Sequence, residues 1–518
     1  MLPCRKPLTM RIVRWLLPAL SLLCLAAASA WGNGFAAHGI PLPALLAALQ
    51  SPDPAQRLEA ASVLGLRREK AAVAPLLARL QDAAEEEAVL RAVIEALGSI
   101  RDLRALPPLR HFLKAAKSEG LRAAAAQALG RFQHPQALAG LLQAWRQEQH
   151  IRVQVAILGA LGEFPDAAAT AALLEALATR HHTLQLAAVQ ALGQPQRRQA
   201  TLPLLARLRQ ARSRVLRREI VKTLGRIKDT RATDELIALW PAAQADPPLK
   251  QALIAALAEI GDRRAVPPLL AELAAGHPET LLPTVQALGK LGDQAATAPL
   301  VGLLEAALAA TPTPPPALTP QRFAAYVHHF HVQRFVLEAL ANLEDAHSFD
   351  VVAQATRRCD LAPHSAMALR LRELCYQRRR AALVALARLP EARAGTLLIA
   401  HLHDPEASVR AEAARLLGQR RDPQAFSALV RALEDAAPDV RFEAAIALGA
   451  LGDARAVPAL LARLHDAHAL VRERAVLALA ALGDARALAP LQALQHREPE
   501  ARVQRALAQA LATLAKPP

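Results

Sequence analysis

The C-terminal third of the chain repeats itself every 31 residues, and that period limits what it can fold into. Asp404, Asp435 and Asp466 stand 31 apart, as do Arg410, Arg441 and Arg472, and Gly418, Gly449 and Ala480. With the small residue as an anchor, the same unit runs through Gly65, Gly98, Gly130, Gly162, Gly193, Gly225, Ala258 and Gly289. It resumes at Ala341, Ala387, Gly418, Gly449, Ala480 and Ala512, with steps of 31 to 33 except around one interruption. About 14 units are present. By length alone, 518 residues would suggest three or four globular domains. A period in this range means a stacked array instead, in which no unit buries its apolar face alone.

Each unit reads as two helices. The first ends near the anchor, and Asp follows at anchor plus four, as Asp102, Asp262 and Asp453. There a carboxylate can accept a backbone N–H. Pro follows at plus nine or ten, as Pro107, Pro267 and Pro458. Proline is tolerated in a first helical turn, where its missing donor would be unpaired anyway. A Leu-rich second helix comes next. Apolar residues make up 53% of the chain but aromatics only 3%, so the core must be Leu and Ala. With strand formers this scarce, all-β and Rossmann-type folds are excluded. Asp at plus four and Arg at plus six, as in Asp229-Arg231, are expected to pair between successive loops as a ladder.

The string Val440-Arg441-Phe442-Glu443-Ala444-Ala445 followed by Ala447-Leu448-Gly449-Ala450-Leu451-Gly452-Asp453 resembles the HEAT-like repeats of the phycobilin lyase type. The resemblance covers about 41–515. It implies an all-α, right-handed α-solenoid, with first helices on the convex face and second helices on the concave one. Such repeats mostly mediate protein contact. A minority serve enzymes, among them bilin lyases, deoxyhypusine hydroxylase and a DNA glycosylase group. The His-Glu pairs that hold iron in the hydroxylase have no counterpart here, since the chain contains no His-Glu dipeptide.

The pattern breaks between about residues 306 and 380, where anchor spacing widens to 52 and then 46. Thr311-Pro312-Thr313-Pro314-Pro315-Pro316 reads as a stiff extended linker. Extra helical segments are expected near 320–338 and 364–382. The division expected is a leader at 1–30, an N-terminal array at 31–305, a linker and irregular helical insertion at 306–382, and a C-terminal array at 383–518.

Arg5, Lys6, Arg11 and Arg14 precede an uncharged apolar run, Leu16 to Ala30, that ends Ala28-Ser29-Ala30. This is the layout of a secretory signal peptide, cleaved near Ala30. A periplasmic or secreted mature chain is expected, without a membrane span. The alternative is a leader retained as an anchor. Cleavage lowers the net charge from +16 to +12 and leaves two cysteines, Cys359 and Cys375. Export makes them a candidate disulfide, although two helices around a turn near Pro363 would not bring them together as a simple hairpin.

No sequence motif supplies a nucleophile, a phosphate loop or a metal site. The chain is therefore expected to be a non-enzymatic scaffold without a cofactor. His328, His329 and His331 are weak metal candidates, because neighbours on a helix diverge. The strongest surface signal is charge. Between Arg197 and Arg231 stand 12 basic and 2 acidic residues. Its centre is Arg207, Arg209, Arg212, Arg214, Arg217, Arg218 and Lys222, and Ala211 replaces the usual inter-unit Asp. Arg-rich surfaces take carboxylates and phosphates. The expected partner is a protein, with an anionic ligand or envelope surface as a further candidate. Nucleic acid is not expected in an exported chain. Two alternatives remain: a lyase-type enzyme or accessory acting on a tetrapyrrole or a protein side chain, and a nucleic-acid-binding solenoid that is not exported.

Overall fold

A computed structural model of the chain describes residues 40–310, 320–359 and 366–515. The expected leader at 1–30 and the Pro-rich segment Thr311–Pro316 lie outside the described residues. All regular structure among the described residues is helical, with no strand. The chain falls into two compact units, one ending at Ala232 and the other starting at Thr233.

The first unit stacks six first helices: Pro54–Arg67, Glu87–Ile100, Glu119–Gly130, Ile151–Gly162, His182–Ala191 and Arg214–Ile227. Each packs on the next, and a layer of shorter helices such as Val73–Leu80, Leu106–Ala115 and Pro135–Gln147 lies alongside. The anchor residue explains the close stacking. A Cβ placed on Gly65 would lie 2.7 Å from the Ala96 backbone, so only a glycine lets these helices touch. The core between the layers is Leu, Ala and Val, as in Leu64, Leu76, Leu97 and Leu109.

The second unit repeats this with Pro247–Ile260, Pro278–Leu291, Pro320–Leu343, Ala366–Arg388, Ala407–Arg420, Pro438–Leu451, Ala469–Leu482 and Ala501–Leu514. A Cβ on Gly418 would likewise lie 2.6 Å from the Ala447 backbone. The helices expected near 320–338 and 364–382 are the leading parts of two long first helices, of 24 and 23 residues. Each ends at its own anchor, Ala341 or Ala387. Their extra turns have a small core of their own, in which Phe330, Leu371, Leu374 and Cys375 are buried against Phe323, Tyr326 and Val327.

Between the helices of a pair, Asp at plus four caps a 3-10 turn. Asp102 accepts the Arg104 N–H at 3.0 Å, and Asp453 accepts the Arg455 N–H at 2.9 Å. Pro107, Pro267 and Pro458 then fall in the first turn of the second helix. The expected pairing of Asp and Arg between successive loops is corrected. The pair lies mostly within one loop, two residues apart, as in Asp484–Arg486 at 2.6 Å.

The tie between units is made elsewhere, by the residue eight before the anchor. Arg441 donates to its own loop, to the carbonyls of Asp435 and Ala436 at 2.8 and 3.1 Å, and to the Asp466 carboxylate of the next loop at 2.7 Å. Arg410–Asp435 and Arg472–Glu498 repeat this at 2.7 Å, and Arg57–Glu85 and Arg122–Glu148 do so in the first unit at 2.6 and 2.8 Å. Lys250 and Glu272 form the same rung, both nearly fully buried.

Candidate functional site

The first unit has a groove of about 600 Å³ between the second helices Leu106–Ala115 and Pro135–Gln147. Its size is within the ~300–1,000 Å³ usual for small-molecule sites. Arg110, His111 and Lys114 line one wall, and Gly140, Gln143 and Gln147 the other. Gly140 makes room for Arg110 on that second wall. A Cβ there would lie 3.0 Å from Arg110 Cγ, so the Arg110 side chain lies flat on the helix backbone. The Arg122–Glu148 rung is part of the lining, with His150 beside it. Burial pushes the Glu148 carboxyl up, but the Arg122 hydrogen bond and the backbone N–H groups of His150 and Gln149 hold it below its ordinary value. Glu148 therefore stays charged and committed to Arg122. No described acidic side chain pairs with Arg110, His111 or Lys114, so the wall is cationic and open to an anion.

These residues were not singled out from the sequence. Gly140 lies off the anchor register, and Arg110 stands where most units have an aliphatic residue. A signal was present all the same: a glycine inside a second helix, which costs ~1 kcal/mol against Ala, needs a packing or functional reason.

The basic segment is spread over three elements rather than gathered. Arg207 and Arg209 end the helix Thr201–Gln210, Arg212 lies in the loop, and Arg214, Arg217, Arg218 and Lys222 follow on the helix Arg214–Ile227. Arg207 donates to Gln185 Oε1 at 2.9 Å. Lys222 and Arg226 both lean on Glu219, at 3.8 and 3.4 Å. Arg212 and Arg214 are exposed, and neither has a carboxylate partner among the described residues. Here the ladder is missing, as it also is at Gln154: Gln185 stands where Arg410, Arg441 and Arg472 stand in their units, and Ala211 where those units meet the acid.

His328, His329 and His331 do not form a metal site. They sit on the long helix Pro320–Leu343, where successive side chains point apart, and no three metal-ligating groups converge among the described residues. Burial pushes His329 and His331 below the ordinary histidine value, which favours neutral rings.

Cys359 and Cys375 are bonded, with Cα atoms 6.3 Å apart. The helical-hairpin objection fails because Cys359 is not on a helix. It lies beyond the end of Phe349–Ala355, free of helical register, while Cys375 faces it from Ala366–Arg388. No described helix is long and apolar enough to cross a membrane.

Comparison with known proteins extends this picture. The HEAT repeats family model matches residues 42–129, 112–193, 238–310, 395–475 and 428–512, and a PBS lyase HEAT-like repeat matches 216–239. The chain is 45% identical over 64 residues to the bilin biosynthesis protein PecE of Mastigocladus laminosus, a stretch covering 12% of this chain and 23% of that protein. It thus spans about a quarter of the length of that relative. Among solved structures, Kap95p bound to RanGDP aligns over 91% of this chain and 71% of its own, with 14% identity and a TM-score of 0.54. The CpcE–CpcF complex of phycocyanin lyase from Nostoc sp. aligns over 42% and 88%, with 26% identity and a TM-score of 0.30.

The expectation of a non-enzymatic chain is corrected by the likeness to PecE and by the lyase-type repeat, which point to enzyme-like activity rather than none. The likenesses favour the lyase-type alternative of the sequence reading over its scaffold reading. The Kap95p likeness speaks for the all-α solenoid alone. Matched over well more than half of its length, the chain belongs to the HEAT-repeat family.

Proposed function

We propose that the chain works in lyase-type chemistry on a tetrapyrrole, as the enzyme or as its accessory, and that the groove at Arg110 and Gly140 seats the tetrapyrrole. The observation that carries this is the 45% identity over 64 residues to a bilin biosynthesis protein. The groove supports it chemically. An open-chain tetrapyrrole carries propionate side chains on an otherwise apolar body. Arg110 and Lys114 stand one helical turn apart and supply two cations at the spacing where side chains share a face. Gly140 lets the Arg110 side chain lie flat across the opposite wall. The test is a titration of the purified chain with biliverdin, followed in the visible spectrum. Saturable binding that falls about ten-fold or more in Arg110→Glu with Lys114→Glu is expected. Absence of binding, or binding indifferent to these changes and to Gly140→Leu, would sink the reading.

The groove does not use the basic segment at 207–222, and a second reading assigns it a macromolecular partner, an acidic protein or an anionic envelope surface. Exposed Arg212 and Arg214 support this, since unpaired like charges repel and an anionic partner relieves the repulsion. Arg207→Glu with Arg212→Glu should reduce partner recovery in a pull-down and remove its salt dependence, which arises from screening over ~8–10 Å. Equal recovery at both salt concentrations would leave the segment a solvated surface. Export through cleavage near Ala30 is part of the same reading, supported by the layout of residues 1–30. The mass of the chain recovered from cells tests it, and an intact Met1 terminus would remove it.

A further inference from the structure

The second unit contains a polar cavity of about 560 Å³, lined by Thr356, Arg357, Arg358, Arg379, His401 and Asp404 among others. Its cations differ in their commitments. Arg379 is buried and fully used. Its Nε donates to the Thr356 carbonyl at 2.8 Å, and its two amino groups go to Glu406, at 3.1 Å, and to Asp404. Arg357 and Arg358 are exposed at the rim, and neither guanidinium has a carboxylate partner among the described residues. The acids in the wall are already taken. Asp404 holds Arg379 and accepts the Glu406 N–H at 2.9 Å, and Asp350 pairs with Arg393 at 2.8 Å.

Two further observations make this a built site. The backbone that presents Arg357 and Arg358 is pinned from behind at three points. Arg379 holds the Thr356 carbonyl, Arg378 donates to the Arg357 carbonyl, and Cys359 is bonded to Cys375. Arg378 is itself buried without a carboxylate partner among the described residues, and burial, together with the charge of Arg379, pulls it down to about 10. The second observation is His401, whose Nε2 is buried with no hydrogen-bond partner. Its Nδ1 lies 3.7 Å from Asp404 Oδ2. Burial and then the Arg379 charge push this ring below the ordinary histidine value, so it is neutral at neutral pH. A buried ring nitrogen without a partner is costly unless a ligand or water completes it.

We propose that this cavity binds phosphate or a phosphomonoester, with Arg357 and Arg358 gripping two of its oxygens and His401 Nε2 meeting a third. The choice of phosphate over carboxylate follows from the number of contacts offered. A carboxylate has two oxygens, enough for one guanidinium fork or for two separate donors. Phosphate has an oxygen for each guanidinium and one left for the imidazole. Hydrogen phosphate carries both lone pairs and an O–H, so it can complete either tautomer of the neutral ring. The disulfide acts as a positioning element, because it fixes the segment just beyond the two arginines.

The test uses the full oxidised chain and calorimetric titration with inorganic phosphate, phenyl phosphate and succinate in separate arms. Saturable binding of either phosphate compound, tighter than that of succinate, is expected. Inorganic phosphate alone would identify the free ion as the ligand, and tighter phenyl phosphate a monoester. Arg357→Ala with Arg358→Ala should weaken binding about ten-fold or more, with an unchanged melting temperature, because both side chains are exposed. Cys375→Ser should weaken it while leaving both arginines in place. Arg110→Glu with Lys114→Glu, in the other unit, should change nothing, which separates this site from the tetrapyrrole reading. The proposal is overturned if no phosphate compound binds, if succinate binds as tightly, or if binding survives loss of both arginines.

Discussion

Two stretches of the array fold the same helical pair and tie it differently. From residue 379 to 498 the rungs are unbroken: Arg379–Asp404, Arg410–Asp435, Arg441–Asp466 and Arg472–Glu498. From 179 to 213 the arginine is Gln185, which donates to the Thr179 carbonyl of its own loop and accepts from Arg207, and the acid is Ala211. The first helices His182–Ala191 and Arg214–Ile227 form and pack regardless. The ladder is therefore not what makes the helices. It joins consecutive loops, and where its acid is dropped the neighbouring cations are left without that counter-charge. The basic segment lies where the repeat gives up its internal electrostatics.

The largest expected effect sets the two stretches side by side. Arg441→Ala should cost about 3–5 kcal/mol, because it leaves the nearly buried Asp466 carboxylate without its cation. Gln185→Ala should cost about 2 kcal/mol, since it removes a neutral hydrogen bond to the Thr179 carbonyl and one accepted from Arg207. Local hydrogen exchange of Pro438–Leu451 and His182–Ala191 reads the two separately. Equal losses would mean the ladder is worth no more than the bonds that replace it.

Acid should reveal the same contrast without mutation. Burial pushes the Asp466 carboxyl up, but the Arg441 hydrogen bond, the His468 N–H and the Arg441 charge hold it below its ordinary value. Asp435 is held down in the same way by Arg410, and Glu498 foremost by its Arg472 hydrogen bond. Their folded values lie below the unfolded ones of about 4. The stabilisation is therefore complete above that pH and is lost as pH falls through the folded values. Protection of the helices between 407 and 482 should decline below about pH 4. The rung at Gln185 has no charge to lose, and exchange around it should change less. A uniform decline across both stretches would overturn the contrast.

The smallest effect comes from restoring the rung. Gln185→Arg with Ala211→Asp should add at most about 1 kcal/mol, typical of an incompletely buried pair. It should also lessen the attraction of the 207–222 segment for anions. A loss of stability would show that the loop at 211 no longer holds the rung geometry.

What the sequence made legible was whatever recurs. The anchor small residue, the capping Asp and the first-turn Pro stand at fixed spacings, and each proved to hold the backbone role its chemistry suits. The ladder was half visible. Arg410, Arg441 and Arg472 recur in step with Asp435 and Asp466, but partners 25 residues apart were passed over for Asp and Arg two residues apart. The groove was hidden because Gly140 and Arg110 break the repeat's register only once. The cavity at Arg357 depends on a segment outside helical register, and no periodic reading places such a segment.

The glycine contacts also have a mechanical consequence. Backbone touching backbone makes the first-helix layer an inextensible spine, since those helices can neither approach nor separate without losing contact. The second helices meet their neighbours far less. Each unit therefore bends cheaply only by spreading or closing its second-helix side, as a leaf spring flexes about its stiff edge. Whatever wedges between Leu106–Ala115 and Pro135–Gln147 works against that spring, so occupancy of the groove and curvature of its unit are a single coordinate.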